Sequence, residues 1–339
     1  MDESSEPGAR GEHREGSWLR RLAGGGRKPT ASDQEAAEQA ARARAGETQQ
    51  KPVPGGASLA SAIWTDSHCH LQDDPDPAET VALARAVRVG RMICVGTDDE
   101  SSRRAVTLAT ELSASTSQPA ASSAGPAALG RGAEIFATIG LHPHDAKVGL
   151  DTVRELIGEL AGGDGLRRSR VVAIGECGLD YHYDSSPREA QRDVFAAQVA
   201  LAQQHNLALV IHTREAWDDT FSILEREGVP DRTVFHCFTG GEQEAKQCLR
   251  VGGFLSFSGI VTFANAEELR QVVVHCPLDS LLIETDSPFL TPVPHRGRRN
   301  SPSNVSLVGD AIAQLKAFEP EVLAAVTWMN ADKAFGIGV

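Results

Sequence analysis

The decisive stretch reads Val171-Val-Ala-Ile-Gly-Glu176-Cys-Gly-Leu-Asp180. A short apolar run of β type, too brief for a buried helix, ends abruptly in a carboxylate. Helix formers with helical periodicity follow over 188–205, and then 207–211 is again a short apolar run, closed by His212. The same rhythm extends in both directions. Apolar β-type runs stand at 62–66, 91–95, 135–140, 233–235, 254–257 and 281–284, each followed by a helical stretch, such as 304–318 after the last. Strict strand–helix alternation predicts an α/β protein with a parallel sheet, and eight units predict closure into a TIM (β/α)8 barrel.

Such a barrel takes roughly 250 residues, so a chain of 339 residues leaves room for extensions. Residues 1–60 are rich in Gly, Ala, Arg, Glu and Gln and hold few large apolar side chains, which predicts a disordered N-terminal extension ahead of a hydrolase domain at 61–339. A Ser-, Ala-, Pro- and Gly-rich stretch at 113–132 reads as a surface insertion between the second helix and the third strand, away from the face that carries barrel active sites.

The net charge is −13, and residues 1–60 hold as many basic as acidic groups, so the excess negative charge belongs to the remainder. A surface that gripped nucleic acid by its own charge would be basic. Phosphate chemistry on this chain must therefore borrow positive charge, most simply from metal ions. The six cysteines include no C-x-x-C pair, which argues against a disulfide framework or a zinc ribbon and predicts reduced thiols in a cytoplasmic protein. No apolar run approaches the roughly 18 residues of a membrane span, and the Arg20-Arg21 pair lacks the apolar region of a twin-arginine signal.

Ionisable residues recur where the predicted strands end. The first strand ends in Asp-Ser-His-Cys-His, and alternation sends Asp66, His68 and His70 to one face, with Asp66 beneath as an orienter of the imidazoles. Glu176, His212, His236 and Asp286 occupy the corresponding ends of the fourth, fifth, sixth and eighth strands. Buried charge at so many barrel-strand ends points to a metal centre, because an unpaired buried ion is costly. Glu176, between two His-bearing regions, is read as a bridge: His68, His70 and Asp286 complete one site, His212 and His236 the other. Alternation turns Cys69, Cys177 and Cys237 away from the cations. His142, Arg214 and Arg299, with Arg296 and Arg298 beside the last, are candidate substrate contacts at the mouth.

The segments DSHCHL, GLHPHDA, GECGLDY, HTREA, HCFTGG, ETDSP and RRNSPSNV occur in that order from Asp66 to near the C-terminus. In this series the chain resembles the TatD family of metal-dependent deoxyribonucleases. The resemblance implies a TIM barrel, nuclease activity with two divalent cations (magnesium, manganese or zinc) and the same six ligands; it does not cover residues 1–60. Catalysis would rest on Glu176 and Asp286, with Asp286 accepting a proton from water. DNA is the expected partner, as single strands or frayed ends, since no groove-reading element is visible. One rival is hydrolysis of another ester or amide, such as D-aminoacyl-tRNA, on the same metals. Another is a binding protein that keeps the fold without catalysis, which loss of a ligand would betray; all six positions are present.

Overall fold

Each predicted apolar run becomes a strand. In the computed structural model, which describes residues 63–115, 133–163 and 165–337, the strands are β1 (Trp64–Cys69), β2 (Val89–Val95), β3 (Glu134–Ile139), β4 (Val171–Asp180), β5 (Ala208–Arg214), β6 (Thr233–Phe235), β7 (Phe254–Phe257) and β8 (Leu281–Ile283). They pair in parallel in the order β1 to β8. The ring is drawn shut beyond the end of β8, where Asp286 N donates to His68 O at 2.9 Å and His70 N to Ser287 O at 2.8 Å. The described residues belong to one unit, Ala57–Val339. The predicted extension at 1–60 lies outside the described residues, as does the predicted insertion, except that 113–115 finish the helix Asp99–Ser115.

Strand composition explains the closure. Ile135, Leu209, Ile211, Phe235, Leu255 and Phe257 are fully buried, and each such side chain stabilises the fold by about 1.5–3 kcal/mol relative to exposure. The intervening helices are apolar on one face; Trp217–Glu227, for example, buries Thr220, Ile223 and Leu224 at helical spacing. Among the described residues no helix is long and apolar enough to cross a membrane.

β4 runs five residues past the predicted end at 175, and glycine is the reason. A Cβ on Gly175 would lie 2.6 Å from Val210 O and one on Gly178 1.9 Å from His212 O; both glycines have positive φ, +140° and +136°. With no side chain at either position, β4 stays against β5 as far as Asp180, opposite Arg214. Glu176 and Asp180 are thereby held on one continuous strand above the barrel.

Candidate metal centre

Glu176 is the hub. Its Oε2 lies 3.3 Å from His68 Nε2 and 3.9 Å from His70 Nε2. Its Oε1 lies 3.0 Å from His212 Nδ1, 3.0 Å from His236 Nε2 and 3.4 Å from His142 Nε2. Asp286 Oδ1 approaches His70 Nε2 at 3.4 Å and His68 Nε2 at 3.8 Å. The barrel thus brings the other five predicted ligand residues together with Glu176, and all but the buried His68 line a cavity of about 720 Å³.

Hydrogen bonds to the far ring nitrogens decide which way each imidazole presents its lone pair. His70 Nδ1 is 3.1 Å from Val95 O, which only accepts, and 3.2 Å from Gln72 Nε2, which donates to the same carbonyl at 2.7 Å; with the ring proton on Nδ1 toward Val95 O, the Nε2 lone pair faces Glu176 and Asp286. His236 Nδ1 is 3.1 Å from Glu284 Oε1, which also leaves Nε2 free toward the centre. At His212 the ring is reversed: Nε2 is 3.0 Å from Asp180 Oδ2, and Nδ1 faces Glu176. His68 is fully buried, and neither of its ring nitrogens makes a hydrogen bond; Nε2 is near Glu176 without alignment. Three lone pairs oriented by carbonyl or carboxylate partners, together with a buried unsatisfied imidazole, suit a divalent cation. Ligand-type atoms of His68, His70 and Glu176, and of His142, Glu176 and His212, lie within 4.8 Å of one another in each set. Of these, His68, His70, Glu176 and His212 can hold a metal.

His142 is built the opposite way. Its Nδ1 accepts the backbone N–H of His144 at 3.2 Å, so the ring proton belongs on Nε2, the atom aimed at Glu176. That makes it a hydrogen-bond donor into the site and not a lone-pair donor.

The cluster's charges are mutually dependent. Burial alone would raise the Glu176 carboxyl, but His236, His142 and His212 outweigh it and hold it well below its ordinary value. Burial likewise opposes charge on His236, His212 and His70, yet neighbouring carboxylates win and all three are raised: Glu176 and Glu284 at His236, Asp180 and Glu176 at His212, Asp286 and Glu176 at His70. At His68 and His142 burial prevails and both are lowered.

Two carboxylates that the sequence placed at strand ends without a role prove to be the orienting groups. Asp180 bonds His212 and His144 through Oδ2, at 3.0 and 3.2 Å, while Oδ1 accepts the backbone N–H of His182 and Tyr183. Glu284 bonds His236 and the Cys237 N–H. Asp66, expected to orient an imidazole, touches none: it accepts Thr285 Oγ1 at 2.5 Å, Thr285 N at 2.9 Å and His68 N at 3.3 Å. It ties β1 to the segment after β8, and burial pushes its carboxyl up to about 8. Cys69 and Cys177 point away, their thiols bonded to Ile93 O and Val210 O. Cys237 does not; it lines the cavity, because a left-handed backbone (φ 42°) just past β6 breaks the alternation.

Of the other predicted contacts, His142 and Arg214 line the cavity together with His144, the Arg214 guanidinium 4.8 Å from the Tyr183 ring. Arg299 is exposed and stands outside that lining, bonded at 2.7 Å to the carbonyl of Asp73, which does line it. Arg296 lies over the Phe263 ring.

Comparison with known proteins follows the same residues. The sequence profile of the family described as TatD related DNase matches residues 65–336. A relative from Bacillus subtilis (strain 168), named as the uncharacterized metal-dependent hydrolase YabD, is 41% identical over 279 residues, covering 80% of this chain and 98% of that protein. The protein named 3'-5' ssDNA/RNA exonuclease TatD from Klebsiella pneumoniae (strain 342) is 34% identical over 271 residues, 78% of this chain and 93% of its own length. Among solved structures, YJJV, a TatD homolog from Escherichia coli K12, superposes with a TM-score of 0.70 at 26% identity, covering 83% of this chain and all of that one.

Proposed function

The chain belongs to the TatD-related DNase family, and from that premise we propose that it is a two-metal nuclease that hydrolyses phosphodiester bonds at single-stranded or frayed DNA ends. The observation that carries the proposal is the division of Glu176, whose two oxygens face separate sets of imidazoles. On this reading His68, His70, Glu176 and Asp286 would hold one cation, and Glu176, His212 and His236 would hold the other. His142 contacts the substrate. The relative named as an ssDNA/RNA exonuclease supports the substrate class.

A pair of bound cations would supply Lewis acidity, activating water near neutral pH and neutralising charge on the phosphate. Around that chemistry the chain's own groups have distinct work. His142, kept neutral by burial, donates from Nε2 to a non-bridging phosphate oxygen. Asp286, whose carboxyl is lowered by His70, His236 and His68 in spite of burial, is ionised and takes the proton of the attacking water at a carboxylate oxygen. Arg214, on the cavity wall, offers a guanidinium to a neighbouring phosphate. The acidic surface requires this arrangement, since long-range attraction for DNA is lacking and affinity depends on the centre.

The test offers metal-depleted full-length protein a labelled single-stranded DNA, a duplex, an RNA and an aminoacyl ester, with magnesium, manganese or zinc restored singly. Cleavage of the single strand with at least one metal, and of the ester with none, is the expected result. Ester hydrolysis without DNA cleavage overturns the proposal in favour of the rival reaction on the same centre.

A further inference from the structure

We propose that Tyr183 and Phe289 are stacking platforms for the two nucleobases that flank the scissile phosphate, one on each side of the centre. The inference rests on the nuclease reading above and extends it to how the substrate is recognised. Aromatic residues make up only 5% of the chain, yet Tyr183 and Phe289 are 59% and 58% exposed. Of the large apolar side chains exposed among the described residues, these two line the cavity above Glu176. Two exposed aromatic rings on the wall of one polar cavity offer flat apolar faces to a planar ligand.

Topology sets the two rings apart. Tyr183 follows β4 and Phe289 follows β8, and in a ring of eight strands β4 and β8 lie across from each other. Phe289 meets His70 edge-on at 6.3 Å, on the Asp286 side. Tyr183 meets His144 edge-on at 5.5 Å, on the Asp180 and His212 side. A phosphate at Glu176 therefore has an aromatic face on either flank.

Both platforms are fixed to the centre by short backbone ties. Tyr183 N donates at 2.9 Å to Asp180 Oδ1, whose other oxygen orients His212. Phe289 N donates at 2.8 Å to Asp286 O, and Asn300 Nδ2 holds Phe289 O at 2.6 Å. Each ring thus stands three residues beyond a carboxylate of the site, with its backbone preorganised. The Arg214 guanidinium, 4.8 Å from the Tyr183 ring, adds a cation beside that stack. Stacking accepts any base, and it requires bases free of a duplex partner.

The experiment compares the full-length parent with Tyr183→Ala, Phe289→Ala and Phe289→Trp. The substrates are an oligothymidylate and the same oligomer with abasic residues beside the scissile bond. Stacking is worth about 1–3 kcal/mol per base, about 5- to 150-fold. Each alanine variant is expected to lose that factor in kcat/KM on the thymidine substrate, the parent–variant difference should vanish on the abasic one, and Phe289→Trp should retain the parent's preference. In parallel, the fluorescence of 2-aminopurine beside the scissile bond should be quenched on binding to the parent and not to the alanine variants, a readout that needs no turnover. Equal losses on both substrates, or unchanged quenching, overturn the platform assignment. A parent that quenches 2-aminopurine but cleaves no oligomer overturns the nuclease reading while leaving the platforms standing.

Discussion

Replacing Asp180 by Asn separates the two halves of the centre. Asp180 is fully buried, with Oδ1 accepting the N–H groups of His182 at 3.0 Å and Tyr183 at 2.9 Å, and Oδ2 bonded to His212 Nε2 at 3.0 Å. An asparagine oxygen retains both backbone bonds, so the loop after β4 should keep its shape. The amide NH2 then replaces Oδ2 and can only donate, which requires a lone pair on His212 Nε2 and moves the ring proton to Nδ1. That proton would point at Glu176 Oε1, 3.0 Å away, where a cation needs the lone pair. Loss of such an orienting partner typically weakens a metal site by about 10- to 100-fold, which is about 1.4–2.8 kcal/mol. The effect should fall on one cation, because His70 takes its orientation from Val95 O and not from Asp180. Competition against a chromophoric chelator, with elemental analysis of the bound metal, resolves the two affinities. Two unchanged affinities, or equal weakening of both, would refute the tautomer argument.

Asp286→Asn should leave the circular dichroism, one bound cation and DNA affinity near those of the parent while cutting turnover by about 10²- to 10⁴-fold, the usual worth of a general base; near-normal turnover removes Asp286 from the mechanism. Metal uptake should strengthen with pH and release protons: His70, His212 and His236 are raised above 6.5, so their protonated forms compete with the cation until pH passes those values. Calorimetry in buffers of different ionisation enthalpy, at about pH 6 and about pH 8, measures both effects, and a pH-independent affinity contradicts the assignment. Deleting residues 1–60, which carry none of the predicted ligands, should change kcat/KM by less than about tenfold in single-turnover assays on purified protein; a larger loss would assign the extension a part in the reaction.

Much of this was legible in the sequence because a strand reports its own ends. Runs such as 207–211 and 281–283 are apolar enough to be buried on both faces, and the polar groups that follow each run mark the barrel rim, which is how His212 and Asp286 could be placed without a structure. The orienting carboxylates were not legible. Asp180 matters because Gly178 pairs with His212 across β4 and β5, and Glu284 because it meets His236 from another strand; both contacts depend on barrel register, which no local pattern encodes. Alternation also has a physical limit. It holds while the backbone is extended and fails at Cys237 and Asp286, whose φ values of 42° and 53° lie in the left-handed region. Cys237 was consequently misdirected, whereas Asp286 was read from its strand-end position alone and lies 3.4 Å from His70 Nε2. Both strained residues lie within two positions of a carboxylate or imidazole at a strand end, Cys237 after His236 and Asp286 after Glu284 and Thr285, and each has a backbone N–H used by the site: Cys237 N donates to Glu284 and Asp286 N to His68 O. The left-handed turns cost about 1–3 kcal/mol each, and these donor bonds are what the surrounding barrel uses to hold them, so the places where the sequence pattern breaks are the places where strands hand over from scaffold to chemistry.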